Sequence, residues 1–384
     1  MNISVVGGGR WARTIAAVLG SMPGRSDRIT VHSRANAAGI EDWVTEHGLG
    51  QRVTAAEAWP TFEADNDRPN AVVIANRAAD HFAAAAAALR ARVPVLVEKP
   101  VCLRRSKIDD LRAIADTSGA PFAASHVFLF ARYFETFAAT IARLGKLRSL
   151  RFVWTDGISD IRHGETKIYD SAVPLFDDVL PHIVPMIGRL EFGNLLLDTL
   201  DVQRGGARLE VQARSEGRPV SLIIARDDVS RQRRIEAVTE SGPATLDFSN
   251  EPGLIDVSGI QENGDPLWNS APRPLATMLS AFLAAANGSP LDTRLSPNGA
   301  IAASGLADAL RGPYVAHQAD WLDKRLGQPL DSSLRYALTE LSGDAGRTAD
   351  AVAKAWTALD SRASLRSFME KSCLHPSQTA SNSD

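Results

Sequence analysis

Asp178 and His182 stand four residues apart, the spacing that puts two side chains on one face of a helix. A histidine, with an ordinary pKa of about 6.5, can give or take a proton near neutrality. A carboxylate one turn away can orient it or bind a substrate hydroxyl. Asp177 is adjacent and offers a second register for the same pair. Far upstream, Glu98-Lys99-Pro100 follows the apolar run Val95-Leu96-Val97, so an acid and an amine stand at a strand end. Near the start, Gly7-Gly8-Gly9-Arg10-Trp11-Ala12 follows the β-branched run 3–6 and precedes a helical pattern over 13–20.

That last pattern is G-x-G-x-x-A between a strand and a helix. Gly7 permits the tight turn, Gly9 lets backbone approach a pyrophosphate, and Ala12 allows close helix–strand packing. The helix N-terminus points its N–H groups at the phosphates, and Arg10 and Trp11 of the fingerprint count among the cofactor-binding residues. The helix is expected to bury Ile15, Val18 and Leu19. A second strand, 29–31, ends in His32-Ser33-Arg34. A site that prefers NAD usually has an acidic residue there for the ribose 2′-hydroxyl. A hydroxyl and a guanidinium stand in its place, which predicts NADP(H) over NAD(H), with Ser33 and Arg34 on the 2′-phosphate. The runs 71–75 and 95–97 read as strands buried on both faces, with an Ala-rich helix over 81–92 between them. This is the rhythm of a doubly wound α/β domain. Asn76 and Arg77 lie just beyond a strand C-terminus, where such sheets bind ligands.

Composition narrows the remaining choices. The chain has 384 residues, 45% hydrophobic and 23% charged, which suits two or three soluble domains. Its formal charge of −3 argues against a broad phosphate-neutralising face, so no nucleic-acid partner is expected. Two cysteines, Cys102 and Cys373, build no disulfide framework. No apolar run reaches the ~20 residues of a membrane span, and the first residues lack a basic region before their apolar stretch. The expectation is a cytoplasmic protein with no membrane partner.

Taken together, the glycine fingerprint, the 71–100 block, Glu98-Lys99-Pro100 and Asp178-x-x-x-His182 resemble the glucose–fructose oxidoreductase/inositol dehydrogenase (Gfo/Idh/MocA) family. Arg132-Tyr133 resembles its Arg-aromatic pair, and Gly145-Lys146-Leu147-Arg148-Ser149 resembles the turn opening its substrate domain. The resemblance spans about residues 1–312. It implies an α/β protein: a Rossmann domain over 1–122, then an α/β domain over 123–312 with a large, mostly antiparallel open sheet. By the same resemblance His81, Glu98, Lys99 and Pro100 join the cofactor site, Lys99 lies beside the nicotinamide, and Asp178 and His182 face the substrate. Arg132 is a substrate-side residue. A homo-oligomer, dimer or tetramer, through the substrate-domain sheet is left open.

The residues support the second domain independently. The segments 147–154, 195–203, 208–213, 220–225, 234–239 and 244–248 are strand-like and joined by turn signals such as Glu240-Ser241-Gly242-Pro243. A polar, cationic segment, 162–169, precedes the Asp-His pair. His163, Lys167 and Tyr169 could meet a substrate carboxylate or phosphate there. His163 and Glu165 lack a third ligand, so no metal is expected. One departure stands out: Leu180 occupies a position that is glycine in many relatives. Its side chain is expected to narrow the space near the reacting centre and to disfavour a sugar or inositol.

Helices are expected over 273–287 and 298–310. A helical extension, 313–384, follows with helices at 320–326, 332–341 and 345–359 and a polar, disordered tail. The resulting reading is an NADP(H)-dependent oxidoreductase moving a hydride to or from a small polar carbonyl or alcohol, sugar-like or biosynthetic. Alternatives are an imine reductase of specialised metabolism and a non-catalytic NADP-binding regulator. The trio Lys99, Asp178 and His182 argues against the last, since a sensor has no use for it.

Overall fold

The computed structural model describes residues 1–62, 68–157, 161–162, 165–166 and 174–326. They form two compact units. The first holds Met1–Glu135, Val184–Met186 and Pro266–Ile301; the second holds Thr136–Ile183, Ile187–Asp265 and the described chain from Ala302.

Six parallel strands build the first unit: β1 (Asn2–Val6), β2 (Arg28–His32), β3 (Val53–Ala56), β4 (Ala71–Ile74), β5 (Val95–Val97) and β6 (Phe122–Ala124). Their order is β3-β2-β1-β4-β5-β6, so the winding reverses between β1 and β4. Ligands of such sheets bind beyond the strand C-termini at that reversal. β4 and β5 are buried along their whole length, as the apolar runs require of strands covered on both faces. Each Val or Ile so buried contributes roughly 1.5–3 kcal/mol. Helices α1 (Arg10–Ser21), α2 (Ala37–Glu46), α3 (His81–Arg90) and α4 (Arg105–Ser118) connect the strands. α1 buries Ala12, Ile15, Ala16 and Leu19; Val18, expected on that stripe, is half-buried because the two alanines take the closest positions.

The chain leaves this unit within α5 (Arg132–Arg143), and three residues of α6 (Leu175–Arg189), Val184–Met186, also belong to it. So does α7 (Pro274–Ala286), although it falls within the stretch 123–312. α7 is apolar over most of its circumference and buries Leu275, Met278, Leu279 and Phe282. It packs on α1 and on the single turn Val127–Phe130.

In the second unit an eight-stranded sheet runs in the order β10-β11-β12-β7-β13-β14-β15-β16. Its strands are β7 (Leu147–Gly157), β10 (Leu196–Gln203), β11 (Arg208–Ser215), β12 (Arg218–Asp228), β13 (Gln232–Thr239), β14 (Gly242–Asp247), β15 (Leu254–Val257) and β16 (Ile260–Asn263). β12 and β7 pair in parallel and every other neighbour is antiparallel. Alternation is plain in β13, where Arg233, Ile235, Ala237 and Thr239 are buried and the intervening residues are more exposed. A small antiparallel pair, β8 (Ile161–Arg162) and β9 (Glu165–Thr166), stands apart.

α8 (Asn298–Leu326) runs unbroken where two separate helices, 298–310 and 320–326, are expected. Pro313 lies inside it, and a proline there removes a backbone hydrogen bond. Packing carries the helix through: Tyr314 is fully buried, edge-on to Phe176, with its hydroxyl donating to the Gly206 carbonyl at 3.4 Å. No described helix is long and apolar enough to cross a membrane. The expected helices at 332–341 and 345–359 and the tail lie outside the described residues.

Candidate active site

In the first unit the glycine turn follows β1 and leads into α1. Gly7, at φ +139°, sits so close to the Ala75 backbone that a side chain there would strike its carbonyl. Its N–H donates to the His32 carbonyl at 2.9 Å. Glycine is therefore needed to bring the ends of β1, β2 and β4 together, and not merely to make a turn. Gly8 is constrained too, because the Ser33 side chain occupies the space of its missing Cβ. Gly9 is different: no atom lies within 4 Å of where its Cβ would stand, and no side chain caps α1. The backbone at Gly9 is thus open to close approach, and no side chain occupies the N-terminus of α1, as an approaching diphosphate requires. Ala12 is fully buried.

Ser33 follows β2 with its N–H on the Ala56 carbonyl at 2.9 Å, and Arg34 is exposed with its guanidinium 5.2 Å from the Trp59 ring centroid. Beyond β4, both polar atoms of the Asn76 amide are buried without a hydrogen-bond partner among the described residues. They offer a donor and an acceptor to a ligand. Arg77 is exposed. These features fit a dinucleotide.

His81 ties two loops together. Its Nδ1 meets the Pro100 carbonyl at 2.9 Å and its Nε2 the Asn76 carbonyl at 3.2 Å. Burial holds its pKa below the ordinary value, against the backbone hydrogen bonds that raise it. Glu98 is 4% exposed and accepts from the Ser125 hydroxyl at 2.7 Å and from the Lys99 N–H at 3.3 Å. Burial pushes its carboxyl above the usual range, while these partners and the Lys99 charge pull it back. Lys99 is half-buried at the end of the same segment, joined to Pro100 by a cis peptide bond.

In the second unit α6 answers the register question. From Pro174 to Ile187 every residue is buried except Asp178 and His182, which are half-buried. A buried helix thus opens one polar face, at i and i+4. Asp178 pairs with the buried Arg226 of β12 at 3.5 Å. Asp177 is 4% exposed and pairs instead with Arg311 of α8 at 2.9 Å. His182 stacks on Trp154 of β7, with centroids 5.1 Å apart and planes at 15°. Arg233 of β13 lies 4.2 Å from the Trp154 ring centroid and pairs with Asp156. Trp154 and Arg233 are register partners across β7 and β13, so the sheet itself sets this arrangement.

Residues 1–126 match the model of the Gfo/Idh/MocA oxidoreductase family, described as an NAD-binding Rossmann fold. This N-terminal domain belongs to the Gfo/Idh/MocA family. Among solved structures, the fold of the chain is shared with UDP-N-acetylglucosamine 3-dehydrogenase from Acidithiobacillus ferrooxidans. That match has 19% identity and a TM-score of 0.63, over 81% of this chain and 96% of that one. It is also shared with KijD10, a 3-ketoreductase from Actinomadura kijaniata in complex with TDP-benzene and NADP. Here identity is 18% and the TM-score 0.65, over 81% of this chain and 97% of that one. No curated protein matches the sequence.

Other positions fall less directly on the Gfo/Idh/MocA pattern. Leu180 is fully buried. Two residues along a helix is about 200°, so it points away from the Asp178–His182 face. It therefore gives no ground for disfavouring a sugar or inositol. Arg132 donates to the carbonyls of Pro272 at 2.7 Å and Leu267 at 3.4 Å, tying the start of α5 to the loop before α7. His163, Lys167 and Tyr169 lie outside the described residues. Sequence reading missed Trp154, Arg226 and Arg233. Arg226 had a signal, a cation closing the apolar run Leu222-Ile223-Ile224-Ala225, whereas Trp154 and Arg233 become meaningful only once β7 and β13 are in register.

Proposed function

We propose that the chain is an NADP(H)-dependent oxidoreductase that transfers a hydride to or from a small polar carbonyl or alcohol, with a keto- or hydroxy-sugar the favoured class. The observation that carries this reading is the polar face of α6: between Leu175 and Ile187 only Asp178 and His182 are not buried. The fold shared with a sugar-nucleotide 3-dehydrogenase and a 3-ketoreductase supports the sugar class.

When bound, the nicotinamide supplies or accepts the hydride. Gly7, Gly9, Arg10, Trp11 and Ala12 shape the diphosphate turn, and Asn76 and Arg77 border it. Ser33 donates to the 2′-phosphate, and Arg34, held over Trp59, offers it a guanidinium. His81, Glu98 and Pro100 fix the loop that carries Lys99. Lys99 holds substrate and cofactor groups by its ammonium. His182 gives the reacting oxygen its proton in reduction and takes it in oxidation. Asp178, steadied by Arg226, holds a neighbouring hydroxyl or orients His182.

The test is a fluorescence titration with NADPH and NADH, followed by a screen of keto-sugars, sugar nucleotides and cyclic imines for NADPH oxidation. Tight NADPH binding with turnover of a keto-sugar is expected. Tight binding with no turnover of any compound, unaltered in Lys99→Ala, would contradict the enzyme reading.

A further inference from the structure

Asp177 and Asp178 are neighbours on α6, and about 100° of helix separates them. Which of the two reaches the polar face is therefore a matter of how α6 is rotated. Two residues of α8 fix that rotation. Arg311, 6% exposed, holds both carboxylate oxygens of Asp177, at 2.9 and 3.1 Å, and lies 5.1 Å from the Phe176 ring centroid. Tyr314, fully buried, meets the same Phe176 edge-on, with centroids 5.1 Å apart and planes at 86°. With Phe176 and Asp177 both held against α8, the next residue, Asp178, is turned away from it.

Tyr314 makes a second connection. Its hydroxyl donates to the Gly206 carbonyl at 3.4 Å, in the single turn Arg204–Gly206 between β10 and β11. The carbonyl of the next residue, Ala207, accepts the backbone N–H of Arg226 at 2.9 Å. Arg226 is the residue whose guanidinium pairs with Asp178. One side chain of α8 thus bears on both halves of the Asp178–Arg226 pair. It reaches the helix through Phe176 and the strand through the turn 204–207.

We propose that Tyr314 is a positioning residue for the Asp178–Arg226 pair, with Arg311 holding the same turn of α6. This rests on the reading above, in which Asp178 holds a substrate hydroxyl or orients His182. Loss of the tyrosine hydroxyl leaves α6 packed but frees the turn 204–207, and with it the backbone of Arg226. The carboxylate is then misplaced, and a shift of ~1 Å is enough to cost turnover. Cofactor binding does not draw on this pair, because the glycine turn, Asn76 and Lys99 belong to the first unit.

The experiment is a double-variant cycle on the full chain. Wild type, Tyr314→Phe, Asp178→Asn and the double variant are assayed for kcat with the best carbonyl substrate from the screen. NADPH affinity is measured by calorimetry and stability by urea unfolding on the same samples. Tyr314→Phe keeps the ring and deletes the donor. It should lower kcat about 3- to 10-fold, as for one lost hydrogen bond, with NADPH affinity within about twofold of wild type. In the Asp178→Asn background the same change should cost less than about twofold, because it acts through Asp178. An unchanged kcat, equal losses in both backgrounds, or a parallel loss of NADPH affinity overturns the proposal. If wild type turns over no compound, the oxidoreductase reading fails instead. The urea data then still decide the link between Tyr314 and Asp178: additive losses of stability overturn it and coupled losses uphold it. Arg311→Lys keeps the charge facing Asp177 and loses the planar group over Phe176. It should reproduce the pattern, and it decides the matter should Tyr314→Phe not fold.

Discussion

His182 lies nearly flat on Trp154, with ring centroids 5.1 Å apart and planes at 15°. Trp154 also carries the Arg233 guanidinium, and Arg233 is fixed by Asp156 on the same strand as the tryptophan. The plane of the imidazole is thus set by the central strands of the sheet and not by α6 alone. Trp154→Ala should lower turnover about 10- to 100-fold while leaving NADPH affinity within twofold, since misplacement by ~1 Å carries that cost. Steady-state kinetics with a parallel binding titration checks it.

The adjacent carboxylates should separate cleanly. Asp177→Asn leaves the buried Arg311 with the longer contact to Asp308, 3.9 Å, in place of its close partner, which costs up to about 3–5 kcal/mol. Asp178→Asn weakens a longer contact to Arg226, 3.5 Å, made by a half-buried carboxylate, so its stability loss should be smaller. Its larger effect should be on turnover. Urea unfolding and kcat of the two variants test this; an Asp177→Asn enzyme of native stability and reduced kcat would reverse the assignment.

Arg34 is exposed and faces Trp59, with no acidic residue in the stretch 32–40. Arg34→Ala should weaken NADPH by roughly 10- to 100-fold and NADH by less than about threefold, because a charge-assisted contact to the 2′-phosphate is lost. Michaelis constants for both cofactors give the answer. Equal values for the two in wild type would dispose of the preference.

Acid sensitivity follows from the buried His81 and the half-buried His32. Burial holds His81 and His32 below the ordinary value of 6.5 in the folded chain. As pH falls through 6.5 the unfolded chain takes up protons that the folded chain refuses, so stability is present above that pH and lost below it. The unfolding midpoint should fall between about pH 6.5 and 5, and His81→Gln, though less stable at pH 8, should show a shallower fall. A midpoint flat across that window would contradict the burial assigned to both rings.

Much of this was legible in the residues because local rules govern it. The fingerprint after β1, the unbroken apolar runs of β4 and β5 and the i, i+4 pair on α6 are each set by a few adjacent side chains. What escaped was set by pairing at a distance. β16 is exposed along its whole length and carries no alternation to read, so it went unnoticed. α8 continues through Pro313 because Tyr314 finds Phe176 and Gly206, neither of which is near in sequence. Leu180 was read as lining the site because its number falls between Asp178 and His182. The turn of the helix sends it the other way.

In the proposed reaction Lys99 and His182 do the chemistry while the glycine turn holds the cofactor. The most direct measurement is NADPH oxidation with the best carbonyl substrate from the screen, for wild type, Lys99→Ala and His182→Ala, with NADPH affinity measured on the same samples. Turnover should fall by about 10²–10⁴ in each variant with affinity within a few-fold of wild type. Wild-type rates in both variants would contradict the account.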